Sequence, residues 1–308
     1  MSQPRISDVR LQSGVADAPL AVVVVTYNSR DVLPGLLDSL GAGLSGVGLP
    51  QVIVVDNESE DGSADLALRH PAAPRVIRSG RNGGYAAAIN IASRVIPPDA
   101  DLLVLNPDIR LLPAAARRLQ HHIRQTGAGI VVPQILHPDG SVRLSIRRDP
   151  SLATAWSESL LGGRLSTALG ISEIVCERQL YRNGGPIEWA TGAAVMISAR
   201  ARRAVGKWDE SFFLYSEEVD YMRRARDQGF SIEYVSTAQA AHIGGDYLSS
   251  AFLSALMTTN RIRYYGRRHG PAKTALFRLS VAMGEAIRSV RGKAHRASFI
   301  AAVTAPPR

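Results

Sequence analysis

The chain has 308 residues, 45% of them hydrophobic, and its 36 Lys and Arg against 27 Asp and Glu give a net charge of +9. A chain of this length and composition buries a substantial core, which excludes disordered, collagenous and disulfide-stapled proteins. Its single cysteine, Cys176, excludes an intramolecular disulfide and a cysteine-based zinc site.

Residues 1–18 are polar and are predicted to form a flexible leader. They lack the apolar run that a secretory signal contains. The sequence contains no uninterrupted apolar stretch of about 18 residues, so no spanning helix is expected. We therefore expect a cytoplasmic protein, and any membrane contact to be peripheral, on the inner face of the cell membrane.

Strands and helices alternate over the first half of the chain. Apolar, β-branched runs predict strands at residues 20–25, 51–55, 75–78, 102–105 and 129–132. Helical spacing of apolar residues predicts the intervening helices at 31–40, 61–70, 84–95 and 112–125. This alternation is typical of an α/β, Rossmann-like and mostly parallel sheet with helices on both faces.

Polar residues follow three of these strands, at Thr26-Tyr27-Asn28, Asp56-Asn57 and Asn106-Pro107-Asp108. Ligands of parallel sheets bind beyond the carboxyl ends of the strands, where these clusters are expected to meet. A carboxylate such as Asp56 accepts hydrogen bonds from a base N–H or ribose hydroxyls. Asp108 suits a hard divalent cation that bridges phosphates, although an ordinary turn explains it equally well.

Asn82-Gly83-Gly84-Tyr85 opens a predicted helix, where glycines allow a backbone to approach a ligand closely. The spacing fits neither a P-loop nor a dinucleotide-binding fingerprint, so the motif alone is a weak signal.

The second half of the chain is less regular. It is predicted to contain an exposed strand at 141–147, an extended segment at 187–197, a helix at 217–228 and short strands at 230–235 and 238–243. The helix starts with Glu217, Glu218 and Asp220 beside a run of aromatic residues. Repulsion among three carboxylates would raise the pKa of one of them, as suits a general base. His242 precedes two glycines, so a ligand role stands beside the commoner structural one.

Residues 246–308 are predicted to form a basic helical extension, with helices at 251–268 and 272–291. Residues 261–308 hold eleven Lys and Arg against one acid, whereas residues 1–260 hold 25 Lys and Arg against 26 acids. This distribution argues against a general nucleic-acid-binding protein. The second helix carries an apolar stripe, Leu276, Leu279, Met283, Ile287 and Val290. A basic amphipathic helix suits an anionic membrane surface, while packing on the body or on a second copy in a homo-oligomer is the alternative.

Taken together, these residues resemble the inverting family 2 glycosyltransferases of the GT-A fold, in particular their rhamnosyltransferase-like branch. The resemblance covers about residues 20–245 and rests on six motifs in the same order. These are Val23-Val24-Val25-Thr26-Tyr27-Asn28, Val54-Val55-Asp56-Asn57, Asn82-Gly83-Gly84-Tyr85, Leu105-Asn106-Pro107-Asp108, Trp189-Ala190-Thr191-Gly192-Ala193 and Phe213-Leu214-Tyr215-Ser216-Glu217-Glu218-Val219-Asp220.

The resemblance implies a GT-A domain over 19–245, with a nucleotide-sugar half at about 19–135 and an acceptor half at about 136–245. It implies that Mg²⁺ or Mn²⁺ is held by Asp108 and His242. Glu218 stands where the family usually has the Asp of a Glu-Asp pair, which makes it the expected base, with Glu217 and Asp220 as alternatives. Expected donor contacts are Thr26, Tyr27, Asn28, Asp56, Asn57, Asn82, Gly84 and Asn106, and expected acceptor contacts are Trp189, Gly192 and Ala193.

The implied reaction transfers a sugar from a nucleotide-diphosphate donor to a glycan or polyprenyl-linked acceptor in cell-wall or polysaccharide biosynthesis. The Asn106-Pro107-Asp108 form favours L-rhamnose from dTDP-rhamnose, while UDP-hexose, UDP-galactofuranose and a soluble natural-product acceptor stay open. Removal of residues 261–308 is expected to weaken binding to anionic vesicles and to leave donor binding intact.

Two functions outside the family are less well supported. A nucleotidyltransferase usually needs a glycine-rich loop with Lys or Arg near the first strand, which is absent here. A membrane- or nucleic-acid-binding module without enzymatic activity fits the basic extension, but not the acidic residues that follow the strands.

Overall fold

The computed structural model describes residues 18–244 and 250–304. Apart from Ala18, the predicted leader lies outside the described residues, and so does Gly245 at the predicted domain boundary. A nine-stranded sheet in the order β3-β2-β1-β4-β10-β6-β11-β5, with β8 beside β11, forms the centre of the fold. Its strands are β1 Leu20–Thr26, β2 Gln51–Asp56, β3 Arg75–Arg78, β4 Asp101–Leu105, β5 Ile109–Leu111, β6 Ile130–Leu136, β8 Gly185–Pro186, β10 Ala194–Ile197 and β11 Ile232–His242.

The sheet is mostly parallel, which confirms the predicted α/β class. β1 pairs in parallel with β2 and β4, β2 with β3, and β6 with β11, whereas β10, β5 and β8 run antiparallel to their neighbours. Strands β1 and β4 are buried throughout because their apolar side chains are covered on both faces. The sheet joins the predicted nucleotide-sugar and acceptor halves without a break.

Helices cover both faces of the sheet and continue beyond it. They are α1 Leu33–Gly43, α2 Ser63–Arg69, α3 Tyr85–Ser93, α4 Ala115–Thr126, α5 Leu152–Leu161, α6 Gly163–Ala168, α7 Arg178–Asn183, α8 Ala199–Val205, α9 Glu217–Asp227, α10 Ala251–Gly266, α11 Pro271–Arg288 and α12 Lys293–Thr304. Two large apolar clusters lie on opposite faces of the sheet, built from alternate residues of the strands, such as Val23 on one side and Val24 on the other.

The region 136–197 differs most from the prediction. The exposed strand expected at 141–147 is reduced to the two-residue β7, Ile146–Arg147, which pairs with β9, Trp189–Ala190, in a separate small sheet. The two short strands expected at 230–243 are one strand, β11, whose register shifts between Val235 and Gln239.

The carboxyl-terminal extension packs against the body through its arginines. Arg261 forms ion pairs with Glu158 (3.1 Å) and Glu173 (2.6 Å). Arg267 and Arg268 pair with Asp209 (2.5 Å) and Asp227 (2.8 Å). These three arginines of the basic extension are therefore paired with acids of the body.

Candidate active site

The carboxyl ends of β1 and β2 place three predicted donor contacts side by side. Thr26 and Asp56 are register partners, Asn57 follows Asp56, and all three are buried. Asp56 Oδ2 accepts a hydrogen bond from the Ser59 amide, but Asp56 Oδ1, Thr26 Oγ1 and Asn57 Oδ1 have no partner in the structure. Buried polar atoms without partners are costly, so this arrangement suits a polar ligand that supplies the missing hydrogen bonds.

Tyr27 and Asn28 lie at the exposed rim of the same site. Asn28 has a left-handed backbone (φ 48°), and its Oδ1 accepts a hydrogen bond from the Glu60 amide at 2.9 Å. Its amide donates to Ser59 Oγ at 2.9 Å. Asn28 thus joins the loops that follow β1 and β2, and in this state its side-chain oxygen is already engaged.

Gly84 connects the donor side of the site to the segment that precedes α9. Its carbonyl accepts a hydrogen bond from Asn57 Nδ2 at 3.0 Å, and its amide donates to Asn82 Oδ1 at 3.2 Å. A Cβ at Gly84 would lie 2.1 Å from the Phe213 carbonyl oxygen, and φ is +86°. Only glycine fits here, which gives the predicted glycine motif a packing reason.

Tyr85, Gly192 and the two glutamates form a partly buried cluster, in which Glu217 is the most buried at 4% exposure. The Tyr85 hydroxyl donates to the Gly192 carbonyl at 3.3 Å, and a Cβ at Gly192 would stand 3.3 Å from Glu218 Cβ. Burial, followed by the charges of Glu217, Glu218 and Asp108, raises the pKa of Tyr85 well above its usual value. The charges of three candidate site carboxylates therefore raise the pKa of one tyrosine, although the carboxylates come from two distant parts of the chain.

Both glutamates have raised pKa values. For Glu217 the cause is burial and then the neighbouring charge of Glu218, and for Glu218 it is burial. Each has an Oε2 atom that is buried without a hydrogen-bond partner. A desolvated carboxylate with a free oxygen holds a proton more tightly than one in water, as a general base at neutral pH requires.

Asp220, the third candidate base, lies outside this cluster. Its Oδ2 accepts a hydrogen bond from Arg224 Nε at 2.7 Å, one helical turn further along α9. Asp220 is thus paired with Arg224, whereas Glu217 and Glu218 each have an oxygen without a partner.

The segment before α9 has an unusual backbone. Phe213, Tyr215 and Ser216 have φ values of 63°, 69° and 74°, in the region that L residues seldom adopt. The Phe213 carbonyl accepts a hydrogen bond from the Tyr85 amide at 2.8 Å. Strained residues persist where their surroundings fix them, so the backbone that leads into the glutamate pair is held by its contacts.

Asp108 and His242 meet as predicted. His242 Nε2 lies 2.9 Å from Asp108 Oδ2, while Asp108 Oδ1 is buried without a partner. Arg143 Nη1 lies 3.0 Å from His242 Nδ1. Because a guanidinium only donates, Nδ1 accepts and the Nε2 proton is donated to Asp108. In this arrangement His242 orients the carboxylate, and Arg143 fixes the tautomer of His242.

The free oxygen of Asp108 fits a divalent cation that also binds a diphosphate. Within the described residues, no cluster of three or more His, Cys, Asp or Glu side chains is suited to a metal ion. Mg²⁺ sites on phosphates commonly use only one or two carboxylates, so Asp108 is sufficient as a protein ligand. For His242 to bind a metal through Nε2, Arg143 would have to leave Nδ1, because Nδ1 would then carry the proton.

The remaining predicted donor and acceptor contacts form hydrogen bonds or packing contacts within the protein itself. The Asn106 amide donates to the Ala193 carbonyl at 2.9 Å, which joins two of the predicted motifs. Trp189 is buried, and its indole N–H donates to the Arg148 carbonyl at 2.8 Å. Of the expected acceptor contacts, Gly192 is the one that lies against Glu218.

Sequence reasoning missed the parts played by Tyr85 and Arg143. Tyr85 belongs to a quoted motif, and its place directly after two glycines at a helix start was a usable signal. Arg143 has no such signal, because its partner His242 is 99 residues away and lies on another strand.

Comparison with known proteins identifies the family of the chain. A family model described as glycosyl transferase family 2 matches residues 21–182. An N-acetylglucosaminyl-diphospho-decaprenol L-rhamnosyltransferase of Mycobacterium tuberculosis is 31% identical over 234 residues, 72% of this chain and 75% of that protein. The low-salt glycan biosynthesis hexosyltransferase Agl10 of Haloferax volcanii is 26% identical over 226 residues, 72% of this chain and 66% of that protein.

Two solved structures share the fold at low identity. GalNAc-T7, crystallised with UDP, GalNAc and Mn²⁺, has a TM-score of 0.55 at 14% identity, over 74% of this chain and 43% of that chain. TarS of S. aureus has a TM-score of 0.51 at 12% identity, over 92% of this chain and 55% of that chain. This chain thus spans about half the length of these structural relatives.

Proposed function

The chain belongs to glycosyl transferase family 2 and is a glycosyltransferase in cell-wall glycan synthesis, and from this premise we propose that it transfers L-rhamnose from dTDP-rhamnose to a polyprenyl-diphosphate-linked glycan. The observation that carries the proposal is the partly buried cluster of Tyr85, Glu217 and Glu218, in which the glutamates have unpartnered oxygens and Tyr85 is within reach of the Asp108 charge. The name of the mycobacterial relative supports both the sugar and the lipid-linked acceptor. The Asn106-Pro107-Asp108 form of the metal motif supports the same donor.

Glu218 is the proposed base. Its unpartnered Oε2 accepts the proton of the acceptor hydroxyl while the hydroxyl oxygen forms a bond to the anomeric carbon. The bond from that carbon to the donor phosphate breaks, and its electron pair leaves with the nucleoside diphosphate. One displacement of this kind inverts the anomeric carbon, and protonated Glu218 later releases its proton to water.

Asp108 is the proposed ligand of Mg²⁺ or Mn²⁺, with His242 beside it. Bound there, a divalent cation offsets the negative charge of the departing diphosphate. The protein's own contribution is to orient Asp108, through the hydrogen bond from His242 and the contact of His242 with Arg143. The structural relative crystallised with Mn²⁺ and UDP supports this assignment.

Thr26, Asp56 and Asn57 are proposed to hold the donor nucleotide. Asp56 Oδ1 is free to accept a hydrogen bond from the base N–H or from a ribose hydroxyl. Tyr27, Asn28, Asn82, Gly84 and Asn106 complete the proposed donor surface, and Trp189, Gly192 and Ala193 border the proposed acceptor side.

A donor panel tests the proposal. With Mn²⁺ present, dTDP-rhamnose is compared with UDP-hexoses and UDP-galactofuranose for its effect on Tm and for nucleotide release with a lipid-linked N-acetylglucosaminyl diphosphate. A donor at 100 times its Kd stabilises a protein by about 2.7 kcal/mol, which is measurable as a Tm shift of several degrees. Stabilisation and turnover with a UDP-hexose alone would reject rhamnose in favour of the hexosyl alternative that Agl10 represents.

The extension is proposed to bring the enzyme to an anionic membrane surface. Most of the apolar stripe predicted on the second helix faces solvent: Leu276, Leu279 and Ile287 on α11 are exposed at 48%, 55% and 60%, and Val290, just after α11, at 83%. Leu160, Leu161 and Leu165 on α5 and α6, and Leu169 directly after α6, are also exposed. Arg164, Lys273, Arg291 and Lys293 are exposed cations of the same segments. Exposed apolar side chains and exposed cations in the same segments favour an interface with acidic lipids.

Among the helices described, none has both the length and the apolar character needed to cross a membrane. The test is therefore co-sedimentation with vesicles, comparing Leu276→Gln/Leu279→Gln with Leu68→Gln as a control, since Leu68 on α2 is equally exposed at 56%. The double variant should lose most of its binding to phosphatidylglycerol vesicles while the control keeps it. Equal binding by both variants, or equal binding to neutral vesicles, would contradict a membrane role for this surface.

A further inference from the structure

Helix α10 of the carboxyl-terminal extension lies directly behind the strained segment that leads into the glutamate pair. Asn260, near the middle of this helix, is buried at 3% exposure. Its Nδ2 donates to the carbonyl oxygens of Phe212 (2.6 Å), Leu214 (2.8 Å) and Tyr215 (3.3 Å). The two N–H groups of one side chain thus contact three backbone carbonyls of this segment, with one proton shared between two of them.

The bonds of Asn260 coincide with the unusual backbone. Phe213, Tyr215 and Ser216 have positive φ values, and Ser216 is the residue directly before Glu217. The Phe213 carbonyl of the same segment accepts a hydrogen bond from the Tyr85 amide at the start of α3. Asn260 and the start of α3 therefore both hold the segment, through different carbonyls.

Two further residues of the extension hold the beginning of this segment. Arg263 donates to the Ser211 carbonyl at 2.6 Å, and Arg267 pairs with Asp209 at 2.5 Å. Both guanidinium groups lie over the Phe212 ring, at 5.6 and 4.5 Å from its centroid. Arg263 and Arg267 contact residues that precede the strained backbone, so they support the start of the segment without contacting its residues of positive φ.

We propose that Asn260 is a positioning residue for catalysis, which sets the placement of Glu217 and Glu218 through the backbone of residues 212–216. The proposal rests on the proposed role of this glutamate pair as the site of the base. It gives the extension a part in the chemistry as well as in membrane contact. A carboxylate pair with free oxygens functions only if the backbone before it is rigid, and Asn260 supplies that rigidity.

The test compares Asn260→Ala with Thr258→Val in the full-length chain. Thr258 is a matched control because it lies on the same helix, is buried at 6%, and its hydroxyl donates within α10 to the Ser254 carbonyl at 3.0 Å. Asn260→Ala should lower kcat at least tenfold, with KM and the Kd for donor nucleotide within about twofold. The acid limb of its kcat–pH profile should also shift, because a loosened carboxylate pair is better hydrated. Thr258→Val should lower Tm without either effect.

Amide hydrogen exchange gives a second reading that does not depend on the donor. Exchange of residues 213–220 should accelerate in Asn260→Ala and stay at the wild-type rate in Thr258→Val. Should Asn260→Ala not fold, Asn260→Ser, which retains a shorter donor, takes its place with the same expectations. Unchanged kcat and pH profile in a folded variant, or an equal loss in Thr258→Val, would overturn the proposal. Wild-type inactivity with every donor would instead reject the proposed function, and the exchange rates would still decide whether Asn260 holds the segment.

Discussion

Replacement of Glu218 by Gln is the most direct test of the proposed chemistry. Gln has the shape of Glu, so the contact of Glu218 with Gly192 and the start of α9 should be preserved. The change removes the carboxylate whose Oε2 is proposed to receive the acceptor's proton. A general base contributes about 10²- to 10⁴-fold in rate, equivalent to about 2.7–5.5 kcal/mol of the barrier.

The structure places the expected loss of Glu218→Gln towards the lower end of this range. Glu217 is the adjacent residue and also has a buried Oε2 without a partner, so it offers a second, poorly placed acceptor for the proton. Removal of the Glu218 charge also removes the neighbouring charge that raises the pKa of Glu217. We expect a loss of about 10²- to 10³-fold for Glu218→Gln and a greater loss for the double variant with Glu217→Gln.

The assay is nucleotide release under saturating donor and acceptor, with the donor Kd measured separately by calorimetry. Donor Kd should stay at the wild-type value, because Thr26, Asp56 and Asn57 are unaffected. Asp220→Asn is the comparison, since Asp220 is bound to Arg224 and should be replaceable with a kcat within a few-fold of wild type. Wild-type turnover in Glu218→Gln, or a larger loss in Asp220→Asn, would refute the assignment of the base.

Gly84→Ala should destabilise the fold by more than about 4 kcal/mol, against about 1–2 kcal/mol for the control Gly80→Ala. Both glycines have a positive φ, but only a Cβ at Gly84 would clash with the Phe213 carbonyl. Equal shifts of the urea midpoint in the two variants would contradict this reasoning. The raised pKa of Glu217 means that the folded chain binds its proton more tightly than the unfolded chain, so this residue's stabilising effect is lost as pH rises above 4.5. Glu217→Gln should therefore raise Tm over wild type at about pH 8 and not at about pH 4. Asp108→Ala should abolish the Mn²⁺-dependent part of donor stabilisation, and donor affinity equal with and without metal in the wild type would contradict a role for Asp108 in metal binding.

The sequence predicted the first part of the sheet, β1 to β4, because its signals are local. The runs at 20–25 and 102–105 are apolar without interruption and the first is rich in valine, which is typical of short strands buried on both faces. The polar residues after these strands then had to meet at one edge, which is why Thr26 and Asp56 were found as neighbours.

The helices at 152–183 were missed because their apolar residues do not follow a core-facing pattern. Leu160, Leu161 and Leu165 face solvent, so the helical period of buried residues is absent from α5 and α6. α5 forms its helix start through a capping box between Ser151 and Thr154, a signal that the apolar pattern alone does not use.

The ion pairs of the basic extension could not be predicted from the sequence. Net charge is a sum, and the sequence does not say which cations are neutralised by partners a hundred positions away, as Arg261 is by Glu158. The expectation that removal of residues 261–308 leaves donor binding intact conflicts with this packing. Such a truncation would leave Glu158 and Glu173 without their cation, and remove Phe277 and Val281 from a buried cluster shared with Ala155.

A truncated chain would therefore fail for reasons of folding, whatever the extension does at a membrane. A buried carboxylate that loses its partner costs several kcal/mol, and a core deprived of an aromatic side chain costs about 3–5 kcal/mol more. Those losses are comparable with the whole stability of an ordinary domain. Point changes at the exposed Leu276 and Leu279 separate the two proposed functions of the extension, because they leave Asn260 and Arg261 in place. If the double variant keeps its turnover with a water-soluble acceptor but loses it with a vesicle-embedded one, the apolar stripe governs where the enzyme works and is not needed for its chemistry.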